Sequence, residues 1–96
     1  MKLKLNSAQI KEIAEYFKVL SEESRLKILN SLCDGQKNVG EIVKYTGLEQ
    51  ANVSRHLKIL TQAKILERTT EGVSVYYEIK NKKLFNLCEM VCKELL

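Results

Sequence analysis

Over its first third, the chain alternates apolar and polar residues with the period of an α-helix. Apolar positions fall three or four apart over residues 7–20, and the polar pair Asn6-Ser7 is placed to cap this helix. Ser21 is the next capping residue and opens a second predicted helix, which continues through Cys33. The pair Asp34-Gly35 then ends it, because glycine readily adopts the left-handed conformation that follows a helix.

The rest of the chain changes from a helical period to a strand period and back. Two helices, a β-hairpin and a last helix are predicted in this order: Val39–Thr46 closed by Gly47, Gln50–Ala63, strands Ile65–Thr69 and Ser74–Ile79 around a turn at residues 70–73, and a helix capped by Asn81 that runs to the C-terminus. No proline, repeat or low-complexity tract interrupts this order. Residues 1–96 are therefore predicted to form one domain.

The element order α-α-α-α-β-β-α is that of a winged helix-turn-helix domain, which is mainly α with a small β-hairpin. The fourth helix stands where such a domain has its recognition helix, and an α-helix fits the major groove of B-form DNA. Arginine suits guanine or phosphate, glutamine and asparagine suit adenine, and an alanine methyl suits thymine. The predicted DNA contacts are Gln50, Ala51, Asn52, Ser54, Arg55, His56, Lys58 and, in the hairpin, Arg68, with Lys64 as a further phosphate candidate. Val53, Leu57 and Leu60 form the opposite, apolar stripe, and His56 is expected to be half-buried and to orient the helix.

Composition and charge are compatible with this interpretation. The chain has 96 residues, 45% hydrophobic and 29% charged, which suits one small domain. Its net charge of +4 favours a polyanionic partner. It has neither an apolar run of the ~18 residues that cross a bilayer nor a secretory signal, so we expect a cytoplasmic protein with no membrane partner.

Several classes of function fit the sequence poorly. One histidine and no phosphate-cradling glycine loop argue against an enzyme with a small-molecule substrate. Structural zinc usually takes four ligands, whereas the chain has three cysteines, so no cofactor is expected to be required for folding. The stronger alternative is a winged-helix domain that contacts protein, or one that binds DNA without an inducer and has structural cysteines.

Three segments carry a family resemblance: "AEYFKVLSEESRLKILNSL", "VGEIVKYTGLEQANVSRHLKIL" and "ERTTEGVSVYYEI". In one register from about Ala14 to Ile79, they resemble the signature segments of the ArsR/SmtB family of winged-helix repressors. The resemblance implies a homodimer that binds a promoter inverted repeat, the DNA operator, and leaves it when an inducer binds. It also implies a dimer interface made by the first helix (about 7–20) and the last helix (about 81–96).

The chain departs from the family pattern at the DNA-facing positions and at the known inducer sites. Glu49 replaces a small hydroxyl residue at the start of the recognition helix, and Val73 replaces a basic residue in the wing. The family's arsenic-binding thiolates would fall at Asn38, Gly40 and Val43, and its zinc ligands at Asn81, Lys83 and Glu94. Only the last of these six side chains can ligate, so neither site is expected here.

The cysteines are the remaining candidates for inducer chemistry. Cys88 and Cys92 lie four apart on the last helix, which puts both thiols on one side. Together with Cys33 they match the three thiolates that bind arsenite, and soft ions such as cadmium or lead would also suit them. The resemblance to family members that sense persulfide or oxidants implies an alternative, in which a disulfide or polysulfide bridge joins Cys33 and Cys92. The third interpretation is that the cysteines are small core hydrophobes, which is favoured for Cys33 taken alone.

Overall fold

Helices α1 to α4, strands β1 and β2, and helix α5 follow one another in the computed structural model, which describes residues 4–96. Their bounds are α1 Ser7–Leu20, α2 Glu23–Ser31, α3 Val39–Thr46, α4 Gln50–Gln62, β1 Leu66–Glu71, β2 Ser74–Ile79 and α5 Lys83–Leu95. The predicted winged helix-turn-helix fold, with the order α-α-α-α-β-β-α, is confirmed.

Two helices begin at reciprocal capping boxes. Asn6 Oδ1 accepts from the backbone N–H of Gln9 at 2.8 Å, and the Gln9 side chain accepts from the backbone N–H of Asn6 at 3.0 Å. Asn38 and Glu41 form the same arrangement at the start of α3. Gly47 ends α3 in the left-handed conformation, with φ 73°, as predicted.

The second helix is shorter than predicted at both ends. Ser21 does not open it: the Ser21 hydroxyl donates to the carbonyl of Lys18 at the end of α1, 3.0 Å away. The carboxylate of Glu22 caps α2 instead, accepting from the backbone N–H of Ser24 at 2.9 Å. The helix ends at Ser31, so Cys33 lies beyond it.

The core lies between α2, α3, α4 and the base of the hairpin. Its buried apolar residues are Ile28, Leu29, Leu32, Ile42, Val53, Leu57, Leu60, Ile65, Leu66, Ile79 and Leu84. The buried apolar residues of the second helical segment are thus Ile28, Leu29 and Leu32, whereas Leu26 and Cys33 are exposed.

The hairpin is antiparallel, and its turn is tighter than predicted. Leu66 pairs with Ile79 at its base, and Glu71 pairs with Ser74 at its tip, so only Gly72 and Val73 form the turn. Gly72 has φ 62° while Val73 has no positive φ, which is the pattern of a type II′ hairpin turn.

A short segment joins α4 directly to the hairpin. Lys64 adopts φ 62°, a left-handed conformation uncommon for a residue with a side chain. Its N–H donates to the carbonyl of Thr61, and the N–H of Ile65 donates to the carbonyl of Leu60, both at 3.0 Å. The N–H of Lys80 on the returning strand also donates to the carbonyl of Ile65 at 3.0 Å. The recognition helix and the hairpin are therefore held in one arrangement.

The first and last helices lie mostly outside the core. No residue of α1 is buried, and Leu84 is the only buried residue of α5. Exposed apolar side chains on the two helices include Ile10 at 54%, Phe17 at 51%, Val91 at 47% and Met90 at 64%. An apolar surface of this kind is unusual on a monomer. None of the helices in residues 4–96 is long and apolar enough to cross a bilayer.

Candidate nucleic-acid interface and thiol cavities

Helix α4 presents a polar face outward because its apolar stripe is anchored in the core. Val53, Leu57 and Leu60 are at most 1% exposed, as the sequence predicts. Gly47 and the next two residues form the turn between α3 and α4. Seven of the eight predicted DNA-contacting side chains are exposed: Gln50, Ala51, Asn52, Ser54, Arg55, Lys58 and Arg68.

The hairpin continues this polar face. Arg68 pairs in register with Tyr77, on the face of the hairpin that also carries the buried Leu66 and Ile79. A hollow of about 290 Å³ between α4 and the hairpin is lined by Ser54, Lys58, Thr61, Gln62, Arg68 and Tyr77. Two cationic side chains from different elements therefore border one concave surface. Tyr77 is absent from the predicted contacts, although its register opposite Arg68 is the signal that could have identified it.

The two faces of the hairpin differ in charge. Glu67 and Glu78 are directly opposite each other in register, one position along from Arg68 and Tyr77. Successive side chains of a strand point to opposite faces, so these two carboxylates face away from α4. The hairpin thus turns its acidic face away from the polar face of the recognition helix.

His56 corrects the predicted set of DNA contacts. It is only 3% exposed, so it cannot contact DNA unless the structure that surrounds it unfolds. Its Nε2 lies 3.2 Å from Glu22 Oε2, and its Nδ1 lies 3.4 Å from a terminal nitrogen of Arg25. Arg25 also donates from Nε to the carbonyl of Val19 at 2.6 Å. His56 therefore joins the recognition helix to the start of α2 and the end of α1.

The surroundings of His56 favour its neutral form. Burial lowers its pKa most, the Glu22 carboxylate opposes this, and the guanidinium groups of Arg55 and Arg25 lower the pKa further. Nδ1 faces the Arg25 guanidinium and can accept from it. Nε2 lies close to Glu22 Oε2 without a hydrogen bond, since that oxygen has no hydrogen-bond partner within residues 4–96. A terminal nitrogen of Arg55 lies 3.3 Å from the same ring, so the buried histidine supports an exposed arginine.

Glu49 occupies the N-cap of α4 but does not cap it. Its side chain makes no hydrogen bond to the backbone of the first turn, unlike the caps of α1 and α3. Its exposed carboxylate stands at the start of the polar face, where it would repel a phosphate group.

The three cysteines are free thiols, and all are exposed in the single subunit. Cys33 follows α2, where its thiol is 3.6 Å from the carbonyl of Leu29. Cys88 and Cys92 lie on α5. Within the single subunit, none of the three belongs to the buried core.

Each of two apolar cavities is lined by two of the three thiols. A cavity of about 100 Å³ is lined by Cys33 and Cys88, and a groove of about 420 Å³ is lined by Cys88 and Cys92. Cys88 lines both. Partial burial raises its pKa most, and the other two cysteines raise it further.

This arrangement corrects one prediction about the cysteines. Within residues 4–96, no three side chains among His, Cys, Asp and Glu are grouped so that they could hold a metal ion, so one subunit does not assemble the three-thiolate site. Cys33 shares a cavity with Cys88, and neither of the two cavities contains both Cys33 and Cys92. Cys33 and Cys88 therefore line one cavity, and the bridge between Cys33 and Cys92 stays a prediction.

The helix-turn-helix, its outward polar face and the adjoining hairpin define the class of winged-helix DNA-binding domains. Comparison with known proteins gives the particular family. The model of the bacterial regulatory proteins of the arsR family matches residues 22–68. The cadmium resistance transcriptional regulatory protein CadC of Listeria innocua serovar 6a is 34% identical over 90 residues, which cover 93% of this chain and 76% of that protein. The chain belongs to the ArsR family.

Two further similarities bear on the site. The arsenical resistance operon repressor of Bacillus subtilis strain 168 is 29% identical over 89 residues, covering 90% of this chain and 85% of that protein. The solution structure of the homodimeric winged helix-turn-helix DNA-binding domain Mb0332 from Mycobacterium bovis superposes with a TM-score of 0.82. It is 30% identical and covers all of this chain and 94% of that one.

Proposed function

We propose that the chain is a transcriptional repressor that binds duplex DNA as a homodimer and leaves it when a thiol-directed inducer acts on its cysteines. The observation that carries the DNA-binding part is the hollow that Lys58 on α4 and Arg68 on β1 border together. Guanidinium and ammonium groups on one concave surface suit the phosphate backbone. The net charge of +4 adds long-range attraction to DNA.

Within this proposal the exposed face of α4 enters the major groove. Arg55 is the residue we assign to guanine, Gln50 and Asn52 suit adenine, and Ala51 suits a thymine methyl. Ser54, Lys58 and Arg68 hold the adjacent backbone. His56 acts beneath the surface as a positioning residue, because its ring contacts Arg55 from the interior.

The apolar surfaces of α1 and α5 support a homodimer. Ile10 and Phe17 on α1, and Val91 and Met90 on α5, are about half exposed or more in the single subunit. Pairing them with a second copy removes this apolar area from water. A two-fold dimer then sets its two recognition helices on groove positions about 34 Å apart, which matches an inverted repeat.

The thiols support an inducer that acts on α5. Cys88 lines two apolar cavities, one with Cys33 and one with Cys92, so chemistry at this residue affects packing on both sides of the helix. The named functions of the relatives, cadmium resistance and arsenical resistance, are responses to soft, thiol-binding elements. An inducer regulates only if it prefers the dimer geometry that does not fit DNA.

The test is capture of fragmented source-genome DNA by the fully reduced, metal-free protein, with and without arsenite, cadmium and a polysulfide. We expect fragments that share an inverted repeat, salt-sensitive binding, and loss of the fragments with one reagent. Arg68→Ala is expected to reduce the slope of log affinity against log salt by about 0.9 if Arg68 contacts one phosphate. No enrichment above a salt-sensitive background would refute the repressor function and favour a winged-helix domain that contacts protein.

A further inference from the structure

One nitrogen of the His56 ring faces two side chains with opposite hydrogen-bonding needs. Oε2 of Glu22 lies 3.2 Å from Nε2, and a terminal nitrogen of Arg55 lies 3.3 Å from the same atom. An ionised carboxylate only accepts hydrogen bonds, whereas a guanidinium only donates them. Without a hydrogen, Nε2 can accept from Arg55, and with a hydrogen it can donate to Glu22. The two side chains therefore compete for one ring atom.

The Glu22 carboxylate is held with one oxygen beside the ring. Its Oε1 accepts from the backbone N–H of Ser24 at 2.9 Å, so the carboxylate cannot turn away without loss of the cap of α2. Its Oε2 is buried and has no hydrogen-bond partner within residues 4–96. A buried acceptor without a donor costs free energy. A hydrogen on Nε2 of His56 would remove this cost.

Arg55 depends on the ring more than Arg25 does. A terminal nitrogen of Arg25 lies 3.4 Å from Nδ1, but Arg25 also donates from Nε to the Val19 carbonyl at 2.6 Å. Within the described part of the chain, the ring is the one hydrogen-bonding group that the Arg55 side chain contacts. A neutral imidazole has a single acceptor nitrogen, so a neutral ring that holds Arg55 carries its hydrogen on Nδ1. Arg25 keeps the Val19 carbonyl in that state.

We propose that Glu22 is a positioning residue for DNA recognition, which competes with Arg55 for Nε2 of His56 and thereby makes operator preference depend on pH. This rests on the proposed function, in which Arg55 reads guanine. A neutral ring holds one N–H of the guanidinium from the interior and leaves the others free for a base. A protonated ring donates from Nε2 to Glu22, so Arg55 loses its acceptor and lies beside a second cation. Preference for the operator therefore falls in acid.

The charged groups around the ring set the pH range of this change. They are Glu22 and Arg25 at the start of α2 and Arg55 on α4. Burial lowers the pKa of His56 most, the carboxylate raises it, and the two guanidinium groups lower it. The neutral form that holds Arg55 therefore dominates at neutral pH, and it is lost only below the ordinary pKa of 6.5. Phosphates of bound DNA raise the pKa of His56 in any duplex, so two duplexes of equal charge must be compared.

The test measures operator preference, which is the ratio of the affinities for an operator duplex and for a scrambled duplex of equal length. Fluorescence anisotropy gives this ratio for the full reduced chain between about pH 7.5 and pH 5.5 at constant salt, and circular dichroism at each pH confirms that the protein is folded. We expect the ratio to fall roughly 3- to 10-fold in acid, the contribution of about one hydrogen bond. A ratio that does not change with pH would overturn the proposal.

Four variants assign the change to these side chains. Glu22→Ser keeps a good N-cap for α2 but removes the carboxylate from the ring, so the fall should move to lower pH. His56→Gln and Arg55→Ala should each give a ratio independent of pH, because the first lacks the titrating ring and the second lacks the guanidinium. Glu23→Ser is the matched control: it removes the same charge from the next residue, whose side chain is 85% exposed, and should keep the original profile.

The profile separates positioning from a structural role. If Glu22 only stabilised the fold, Glu22→Ser would lower the ratio at every pH without moving the pH at which it falls. That result, or an equal shift in Glu22→Ser and Glu23→Ser, would overturn the role of Glu22.

The ring can also be followed without DNA. His56 is the only histidine of the chain, so nitrogen NMR of one imidazole reports its pKa. That pKa should fall in Glu22→Ser and rise in Arg55→Ala, and unchanged values would overturn the competition. If the reduced protein binds no DNA, the proposed function fails and this measurement still decides the competition. If the protein prefers its operator equally at every pH, the inference fails and the proposed function stands.

Discussion

Nε2 of His56 lies 3.2 Å from Oε2 of Glu22, so the recognition helix is tied to the first residues of α2 by a buried imidazole and a carboxylate. The carboxylate is fixed from its other oxygen by the backbone N–H of Ser24. One pair of side chains therefore aligns α4 and α2, and protonation of the pair affects both helices.

The pH dependence of stability should show this contact. Burial lowers the pKa of His56 in the folded protein below its ordinary value of 6.5, so the unfolded chain binds the proton more tightly. The free energy of unfolding should therefore fall as the pH drops below about 6.5. The contribution of His56 to this fall should end once the pH is below the pKa of His56 in the folded protein. Urea unfolding between pH 8 and pH 5 measures the slope.

The control for this slope is His56→Gln. His56 is the only histidine of the chain, so the variant should flatten the dependence between pH 7 and pH 5 whatever its absolute stability. The pKa of Glu22 is also lowered, first by the Ser24 N–H, but a carboxylate loses its stabilising contribution only at lower pH, below about 4.5. An unchanged slope in the variant would contradict the assignment to His56.

Arg55→Ala tests the recognition helix. The side chain is exposed, so the fold and the dimer should survive its removal. Affinity for the operator should fall by about 1 to 3 kcal/mol, the contribution of a good bidentate contact to guanine. Fluorescence anisotropy with operator and scrambled duplexes gives the difference. Lys93→Ala removes the same charge from α5 and should leave specific binding intact. Equal losses of affinity in the two variants would show that Arg55 contributes only its charge and no specific contact.

Glu49→Ser should improve both stability and DNA binding. Serine is a good N-cap, and the present carboxylate makes no capping hydrogen bond, so α4 should gain about 0.5 to 1 kcal/mol. Removal of a negative charge near phosphate should raise DNA affinity by about twofold. Thermal unfolding and anisotropy measure the two effects. Glu94→Ser removes the same charge from α5, and a comparable rise in affinity there would show that Glu49 is not close to DNA.

Ile10→Asp tests the dimer interface. Ile10 is 54% exposed in the single subunit, so a charge there should not disrupt the core, but it should prevent an apolar helix face from pairing with a second copy. Sedimentation should show a folded monomer, with operator affinity lowered roughly 100-fold as two linked half-sites become one. Lys11→Ala makes the same change in net charge on the same helix and should remain a dimer. A dimeric Ile10→Asp protein would place the interface elsewhere.

Oxidation of the native protein tests which cysteine thiols are close enough to form a disulfide. Cys88 lines a cavity with each of the other two cysteines, so disulfides formed by diamide should join Cys33 to Cys88 or Cys88 to Cys92. Proteolysis and mass spectrometry identify the bridges. Cys88→Ser should form almost no intramolecular bridge, whereas efficient joining of Cys33 to Cys92 in that variant would restore the pairing that the family resemblance implies.

Local signals predicted most of this fold correctly. The bounds of α1 and α3 match the structure because a cap and an apolar stripe agree at each helix, and Gly47 marks the turn before the recognition helix. The start of α2 was predicted wrongly because Ser21 is a suitable cap for the next helix but is used to end the previous one. Ser21 does not cap α2 because Glu22 takes that position, where it also lies close to His56. That contact joins distant parts of the chain, so local sequence does not reveal it.

The site was harder to predict where burial decides it. A helical wheel places His56 near the edge of the polar face, and only the packing of α2 against α4 shows that it is enclosed. For the cysteines, spacing predicted that Cys88 and Cys92 lie together but not that Cys33 and Cys88 line one cavity, because that cavity depends on how α5 packs against the end of α2. The exposure of Arg55 and Lys58 on the polar face of α4 could be predicted from helical periodicity alone.

The left-handed Lys64 and the hydrogen bonds around it leave almost no hinge between α4 and the hairpin. Helix α4 and the hairpin therefore move together as one rigid unit. A change of shape within this unit is not available for regulation. In the proposed homodimer, control of DNA binding by α1 and α5 would therefore act through the spacing and tilt of the two helix–hairpin units. The relevant quantity is then a distance between subunits, which double electron–electron resonance between spin labels on the two hairpins can follow directly.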